Sequence, residues 1–279
     1  MATDPKQPGE QRPAGRTSPV EVVRCRDGEV SAQRDAVAAE EPLEIRLAYE
    51  LVGRPAEKSV SVTMRTPGRD MELAAGFLYG EGILDGLADV DRFERCPGEG
   101  SEHSTGNILR VHVADGVEVD VGSLQRNFYT TSSCGVCGKA SLEALDMQDC
   151  PRLEGGDFAL DGSLVCQLPD RLREAQEVFD DTGGIHAAGL FDADGQIIDV
   201  QEDVGRHNAL DKLIGSRLLD GALPLDESVV VLSGRASFEL LQKALMAQIP
   251  VIVAVGAPSS LAVDVARDFG ATLVGFARN

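Results

Sequence analysis

Two cysteines stand close together in a glycine-flanked segment, Cys134-Gly135-Val136-Cys137-Gly138. A thiolate is the form of cysteine that attacks or carries sulfur, and flanking glycines allow a loop to stay exposed and mobile. Four interpretations are compatible with the pair: a zinc site, a thioredoxin-like redox pair, a persulfide carrier and two inert loop thiols. A carrier needs an acidic, exposed thiol on a flexible loop, and this segment meets the flexibility requirement.

The surroundings of the pair argue against two of these interpretations. A structural zinc site needs four ligands, and the sequence contains no second close pair of cysteines. A thioredoxin-like pair would begin a long helix after a buried strand, whereas residues 130–133 before Cys134 are polar. We therefore favour the carrier. The other cysteines are expected to be packing or surface residues: Cys25, Cys96, Cys150 and Cys166.

A second group of residues is suited to binding an anion. Arg206 opens a predicted helix, and Ser233-Gly234-Arg235 joins a predicted strand to another helix. Backbone N–H groups at helix starts, together with arginine, bind phosphate. The turn Ala257-Pro258-Ser259-Ser260 offers two hydroxyls at a third helix start, although it is equally an ordinary N-cap. These elements predict a phosphate-binding edge of a sheet.

Two histidines leave their roles open. His186 follows Gly183 and Gly184 at the start of an apolar strand, where a histidine is usually a hydrogen-bonded core residue. The glycines indicate that something approaches the backbone closely there. Glu202 and Asp203 are explained as an acidic first turn that favours a helix dipole. That explanation does not cover the adjacent Arg206-His207-Asn208 cluster.

Composition limits the class of protein. The chain has 279 residues, 43% of them hydrophobic, which is enough for one large domain or two small ones. A formal net charge of −20 opposes any sequence-independent binding to nucleic acid, so a polyanionic ligand would need a locally basic pocket. No apolar run approaches 18 residues and no secretory signal is readable, so we expect a cytoplasmic protein without a membrane span.

The N-terminal half alternates apolar and polar residues. Residues 1–19 are polar and are expected to be a disordered tail. The period of two in 43–49 and 60–64 predicts an antiparallel strand pair with its turn at 53–55. The remaining predictions are a helix around 73–78 capped by Asp70, a loop over 85–106, and a hairpin of 109–113 with 117–121.

The C-terminal half predicts alternating strands and helices. A helical stripe over 168–179 precedes a strand pair, 185–191 with 197–200. A series then follows from helix 206–219: strand 229–232, helix 236–248, strand 251–255, helix 259–269 and strand 272–276. Such a series indicates a parallel sheet with right-handed crossovers. Ligands on such sheets bind at the carboxyl ends of the strands.

Several stretches together resemble one family. They are Arg65-Thr66-Pro67-Gly68, Gly76-Phe77-Leu78, Cys134-Gly135-Val136-Cys137-Gly138, Gly184-Ile185-His186-Ala187-Ala188, Glu202-Asp203-Val204-Gly205-Arg206-His207-Asn208-Ala209, Ser233-Gly234-Arg235-Ala236-Ser237-Phe238-Glu239 and Ala257-Pro258-Ser259-Ser260. In this order, they closely resemble the formate dehydrogenase accessory sulfurtransferase family (FdhD). The resemblance runs from about residue 65 to residue 278.

The resemblance implies a function. Members take sulfur as a persulfide from a cysteine desulfurase and pass it to the molybdenum cofactor, a bis(molybdopterin guanine dinucleotide), which then enters formate dehydrogenase. The persulfide cysteine corresponds to Cys134, with Cys137 as its neighbour. No structural metal is expected. The family's cofactor contact corresponds to Gly275, Phe276, Ala277 and Arg278. From the residues themselves we add Arg235, Ser233, Gly234, His186 and Arg206 as expected cofactor-binding residues. A thiol–disulfide oxidoreductase and a non-catalytic guanine-nucleotide binding module remain as alternatives.

The resemblance also implies an architecture. Members are expected to be homodimers with a cytidine deaminase-like three-layer α/β fold. The expected organisation is the tail 1–19, a smaller α+β subdomain 20–128, and a deaminase-like subdomain 129–279 that carries the cysteine loop. Zinc deaminases place metal ligands at two helix starts. Ser233-Gly234-Arg235 and Pro258-Ser259-Ser260 would occupy those places without offering ligands, so deamination is not expected.

Overall fold

A computed structural model of the chain describes residues 15–96, 107–117, 119, 150–153 and 158–278. The predicted sites Cys134 and Cys137, the proposed boundary at 128/129 and residues 1–14 lie outside the described residues. Among the described residues, no helix is both long enough and apolar enough to cross a membrane.

An antiparallel hairpin begins the described chain. Strands β1 (Thr17–Arg26) and β2 (Glu29–Ala38) form a two-stranded sheet. Asp27 and Gly28 both have positive φ, as a tight two-residue hairpin turn requires. The predicted tail to residue 19 is therefore wrong over residues 17–19, which lie in β1. Frequent charges obscure the alternation of apolar and polar residues in this hairpin. The polar composition of the segment therefore suggested a disordered tail.

A four-stranded sheet follows, in the order β4-β3-β6-β5. Its strands are β3 (Glu41–Leu51), β4 (Arg54–Arg65), β5 (Val90–Cys96) and β6 (Ile108–Val113). The predicted antiparallel pair β3–β4 is confirmed, with its turn at Val52-Gly53, where both φ angles are positive. Residues 54 and 55 of the predicted turn belong to β4.

Two predictions fail in this sheet. The expected loop over 85–106 contains β5, whose charged edge-strand sequence lacks a clear period of two. The expected hairpin of 109–113 with 117–121 is also wrong, because β6 pairs with β3 on one side and with β5 on the other. Both edges of β6 are occupied, so no edge remains with which the residues after β6 could pair.

Helix α1 (Asp70–Gly80) packs on this sheet through Leu73 and Leu78. The predicted capping role of Asp70 is wrong. Arg69 is the N-cap residue, in a left-handed conformation and without a side-chain cap bond. The Asp70 carboxylate instead accepts from the buried Arg65, 2.9 Å from its Nε. A buried guanidinium needs an anionic partner more than the helix needs a cap.

Three short helices lead into the C-terminal half: α2 (Gly162–Val165), α3 (Leu168–Glu174) and α4 (Glu177–Thr182). The predicted stripe over 168–179 is therefore broken in two. The break coincides with a tertiary cap, because the Glu202 carboxylate accepts from the backbone N–H groups of Val178 and Phe179, each at 3.0 Å. Such a carboxylate satisfies donors that a helix start leaves unpaired.

The predicted alternation of the C-terminal half is confirmed. Its elements are β7 (His186–Phe191), β8 (Ile197–Asp203), α5 (Arg206–Leu219), β9 (Val229–Leu232), α6 (Phe238–Met246), β10 (Val251–Ala254), α7 (Ser260–Asp268) and β11 (Thr272–Val274). The five-stranded sheet has the order β11-β10-β9-β7-β8. β9, β10 and β11 are parallel as predicted, whereas β7 is antiparallel to both of its neighbours.

This sheet is covered on both faces. Alternate residues of β9 enter two different cores: Val230 packs with α5, α6 and α7, and Val231 packs with Leu172 of α3. The uninterrupted apolar run of β9 reflects this double coverage.

Helices α1 and α5 cross in backbone contact. A Cβ added at Gly76 would lie 1.8 Å from the carbonyl oxygen of Asp211, and one added at Gly215 would lie 1.8 Å from that of Glu72. Only glycine allows this approach. The crossing joins the four-stranded sheet to the layer of helices that covers the five-stranded sheet.

Candidate anion-binding edge of the five-stranded sheet

Three connections meet at the carboxyl ends of β9, β10 and β11. The Gly256 N–H donates to the Gly234 carbonyl oxygen at 2.9 Å, and the Phe276 N–H donates to the Gly256 carbonyl oxygen at 3.1 Å. A Cβ added at Gly256 would lie 2.9 Å from that same Gly234 oxygen, so the loops touch through their backbones. The structure thus brings the predicted segments 233–235, 256–260 and 275–278 together at one edge.

His186 and Ser233 meet at the middle of this edge. The Ser233 Oγ accepts from the Ala187 N–H at 2.8 Å and lies 3.5 Å from the His186 Nδ1. A Cβ added at Gly234 would lie 3.3 Å from the imidazole. Burial, then the positive charge of Arg206, lowers the pKa of His186, so the ring is neutral at pH 7. His186 is both the first residue of β7 and a neighbour of Ser233 and Gly234, so its position is compatible with a structural role and with a role in the site.

Arg206 is the first residue of α5 and lies beside Gly234, its Cδ being 4.0 Å from a Cβ added there. Its Nε is buried and has no hydrogen-bond partner among the described residues. A buried donor without a partner costs free energy, and an anion bound there would satisfy it. The N-cap of α5 is Gly205, which has no side chain to occupy the helix start.

His207, the next residue of α5, adds a second imidazole near the Arg206 charge. Its Nε2 lies 3.3 Å from the Ser237 Oγ and 3.9 Å from a Glu239 carboxylate oxygen. Burial, then the charges of Arg206 and Lys243, lowers the pKa of His207 to about 4. The sequence predicted neither Ser237 nor Glu239 as a site residue, and it left the role of His207 open. Ser237 is 30 residues from His207 and Glu239 lies still farther along the chain, so no local pattern connects them with it.

The acidic residues that precede Arg206 are buried and hold the start of α5 in place. Glu202 and Asp203 end strand β8 and are buried, so the predicted acidic first turn of a helix is wrong. Asp203 accepts from the Gly205 and Thr66 N–H groups and lies 2.7 Å from the Lys212 Nζ. These contacts fix the start of α5 and hence the backbone of Arg206.

The C-terminal segment presents two exposed side chains to the same edge. Phe276 has a φ of 56° and is 62% exposed, an unusual state for an aromatic residue. Arg278 and Arg235 are also exposed. Ala277 is buried, and its N–H donates to the Ala254 carbonyl oxygen at 3.0 Å. Gly275 would clash with Pro258 if it carried a Cβ, at 2.5 Å. The segment is therefore anchored by Ala277 and Gly275.

A comparison with family models shows the family of the chain. The model of the FdhD/NarQ family matches residues 38–279. The chain belongs to the FdhD/NarQ family. Strand β1 and nearly all of β2 precede the region that the family model matches.

Curated relatives in the FdhD/NarQ family carry one name, sulfur carrier protein FdhD. The Streptomyces avermitilis relative is 52% identical over 264 residues, covering 92% of this chain and 89% of the relative. The Mycobacterium tuberculosis relative is 50% identical over 255 residues, covering 90% and 89%. Even the archaeal relative from Sulfolobus acidocaldarius is 39% identical, covering 93% and 92%.

A solved structure in the same group shares the fold. It is the crystal structure of a protein from Desulfotalea psychrophila that is assigned as a formate dehydrogenase accessory protein. The two chains are 26% identical, with a TM-score of 0.69, covering 95% of this chain and 94% of that one. The mixed α/β architecture described above is therefore that of a known structure.

The cysteines of this FdhD/NarQ member divide into two groups. Cys134 and Cys137 lie outside the described residues, so the predicted loop has no geometry here. Of the other cysteines, Cys25 and Cys166 are exposed and Cys96 and Cys150 are buried, which confirms the predicted packing and surface roles. Among the described residues, no three His, Cys, Asp or Glu side chains are grouped closely enough to hold a metal ion.

Two surface depressions of this FdhD/NarQ member lie away from the edge. One, of about 290 Å³, is lined by Tyr79, Leu218 and Pro224 among others. The other, of about 560 Å³, lies on the four-stranded sheet beside Tyr49 and Arg110. Neither is lined by the residues that meet around Arg206. The two depressions therefore do not indicate the place where the unpaired Arg206 donor and the two neutral imidazoles lie.

Proposed function

We propose that this member of the FdhD/NarQ family is a sulfur carrier that transfers sulfur as a cysteine persulfide. The observation that carries the proposal is the identity of about half of all residues, over about nine tenths of the chain, with proteins named sulfur carrier protein FdhD. The comparisons do not favour a thiol–disulfide oxidoreductase or a non-catalytic guanine-nucleotide binding module.

The proposed loading step uses Cys134. Its thiolate attacks the outer sulfur of a donor persulfide, the donor S–S bond breaks, and the donor cysteine leaves as a thiolate. The products are a Cys134 persulfide and the reduced donor, so atoms and electrons balance. Cys137 lies close enough in sequence to share or protect the sulfur. A cysteine desulfurase is the proposed donor.

The proposed acceptor is the molybdenum of a bis(molybdopterin guanine dinucleotide), bound as a substrate. Its phosphates would be held by Arg206, Arg235 and Arg278 with the Ser233-Gly234 backbone and the neutral His186. The buried, unpaired Nε of Arg206 supports this fit because it is a donor that needs an anion. The exposed Phe276 ring offers a surface on which a guanine could stack.

The remaining parts of the proposal concern fold and context. The order β11-β10-β9-β7-β8, with helices on both faces, supports a cytidine deaminase-like subdomain. The segments 233–235 and 258–260, at two of its helix starts, offer no metal ligands. The name of the Desulfotalea psychrophila protein supports formate dehydrogenase as the enzyme that receives the sulfurated cofactor. We further propose a homodimer that acts in the cytoplasm.

Mass spectrometry after incubation with a cysteine desulfurase and cysteine tests the carrier function. The wild-type chain should gain the mass of about one sulfur atom, and a thiol reductant should remove it. The Cys134→Ala variant should gain none, whereas Cys25→Ala, the matched control at an exposed cysteine, should load like the wild type. An unchanged wild-type mass would contradict the proposal.

A further inference from the structure

Next to Arg206 lies a group of three side chains that the proposed phosphate contacts do not use. Ser237 is the N-cap of α6 but makes no side-chain cap bond, and its hydroxyl faces His207 instead. Glu239, in the first turn of α6, lies 3.9 Å from the same His207 nitrogen. The Glu239 side chain is 54% exposed and that of His207 is 35% exposed, so both reach the surface of the edge.

The charges in this group are not those of an ion pair. His207 is neutral at pH 7, as its lowered pKa requires. Burial raises the pKa of Glu239, but its own backbone N–H, the Ser237 hydroxyl and the charge of Arg206 favour the ionised form, so its pKa is lowered and the carboxylate is ionised at pH 7. A neutral imidazole therefore stands beside an anion. Together they present hydrogen-bond donors and acceptors, with the charge of Arg206 nearby.

The chemistry of this group fits a vicinal diol. Each hydroxyl of a ribose both donates and accepts a hydrogen bond. A carboxylate can accept from two neighbouring hydroxyls, while an imidazole N–H or a serine hydroxyl donates to them. A phosphate would be repelled by Glu239, whereas Arg206 beside it attracts one. In dinucleotide-binding sheets, an acidic side chain near the carboxyl ends of the strands reads the ribose in the same way.

We infer that Glu239, with His207 and Ser237, forms a ribose-reading subsite beside the Arg206 phosphate subsite, so that the edge selects ribonucleotides over deoxyribonucleotides. The inference rests on the nucleotide ligand of the proposed function and adds to it the residues that choose the sugar. A purely structural Glu239 would favour the α6 dipole and would not distinguish the two sugars.

Calorimetric titration with GDP and with 2′-deoxy-GDP tests the inference. The wild type should bind GDP about 10-fold more tightly, roughly the value of one hydrogen bond to a charged group. In Glu239→Gln the preference should fall below about 3-fold. The matched control is Glu227→Gln, the same change at an exposed residue before β9, at the opposite edge of the sheet. It should keep the wild-type preference.

Two outcomes would overturn the inference while leaving the proposed function intact. One is equal binding of both nucleotides by the wild type. The other is an unchanged preference in Glu239→Gln with both affinities reduced, which would show a structural role. If the wild type binds neither nucleotide, the inference falls with the nucleotide part of the proposed function. The gain of sulfur mass tests the carrier function separately.

Discussion

Arg206 and the two histidines beside it define the chemistry of the edge at the scale of single residues. Burial disfavours the charged form of both imidazoles, and the positive charge of the Arg206 guanidinium lowers their pKa values further. The edge therefore keeps its arginine charges while its imidazoles stay neutral. Neutral rings leave an anionic ligand to the arginine and can still donate or accept a hydrogen bond themselves.

The lowered pKa of His207 predicts a pH dependence of stability. The unfolded chain binds a proton at this residue below about pH 6.5, whereas the folded chain binds it only near pH 4. The free energy of unfolding should therefore fall as the pH falls through this window. His207→Gln should lose less stability than the wild type between pH 7 and pH 4.5, by about 1 kcal/mol after allowance for partial exposure.

Denaturant unfolding of both proteins at the two pH values, followed by circular dichroism, measures this difference. Groups that are not coupled to His207 titrate alike in both proteins, so they cancel in the comparison; Glu239 and His186 are the coupled groups. If the two proteins lost the same free energy between pH 7 and pH 4.5, the buried neutral state of His207 would be contradicted.

At the scale of elements, the start of α5 is held by partners distant in sequence. Asp203 of β8 binds the Thr66 N–H, and the Lys212 Nζ donates to the Thr66 carbonyl oxygen at 2.8 Å. The link before α1 is thereby fixed to α5 near Arg206. The glycine crossing of α1 and α5 then sets how close the two helices lie. A change at that crossing should move Arg206 as well as the interface.

Gly76→Ala tests the crossing. Alanine normally favours a helix over glycine by about 1 kcal/mol. Here its Cβ would lie 1.8 Å from the Asp211 carbonyl oxygen, so the helices must separate and the free energy of unfolding should fall by at least about 3 kcal/mol. Gly162→Ala is the control, since no atom lies within 4 Å of its added Cβ.

Guanidinium unfolding of the two variants and the wild type gives both values. The control should stay within about 1 kcal/mol of the wild type. Equal stability of Gly76→Ala and the wild type would show that α1 and α5 can separate freely, against the close packing described here.

At the scale of the whole molecule, the net charge opposes the local charge of the site. The chain carries −20, while Arg206, Arg235 and Arg278 lie at one edge. An anionic nucleotide approaching from a distance meets the repulsion of the whole chain before it reaches the arginines. The screening length shortens from about 30 Å at 0.01 M salt to about 10 Å at 0.1 M.

Association of GDP should therefore become faster with salt. Between 10 mM and 150 mM salt we expect the association rate constant to rise about two- to fivefold, because long-range repulsion is screened more than short-range attraction. Stopped-flow fluorescence, with the label on the terminal phosphate so that the ribose stays free, measures the rate. A rate constant that falls with salt would show that the field of the arginines dominates at all distances.

Periodic local patterns determined much of the fold from the sequence. The 3.6-residue period predicted α5 with its observed ends, and the apolar run of β9 predicted a strand covered on both faces. The prediction that 233–235 and 257–260 share an edge followed from parallel strand order. Strand β5 and the β1–β2 hairpin were not predicted from the sequence, because their charged residues obscure the period-two alternation of a strand.

Contacts between distant residues were decided only by the tertiary structure. Asp70 pairs with Arg65 rather than capping α1, and Glu202 caps α4 from another strand. Two pairs lie near Arg206, His186 with Ser233 and His207 with Ser237, and their members are 47 and 30 residues apart in sequence. A local pattern reports which face of an element is buried, but the partner on that face depends on how the sheets and helices stack.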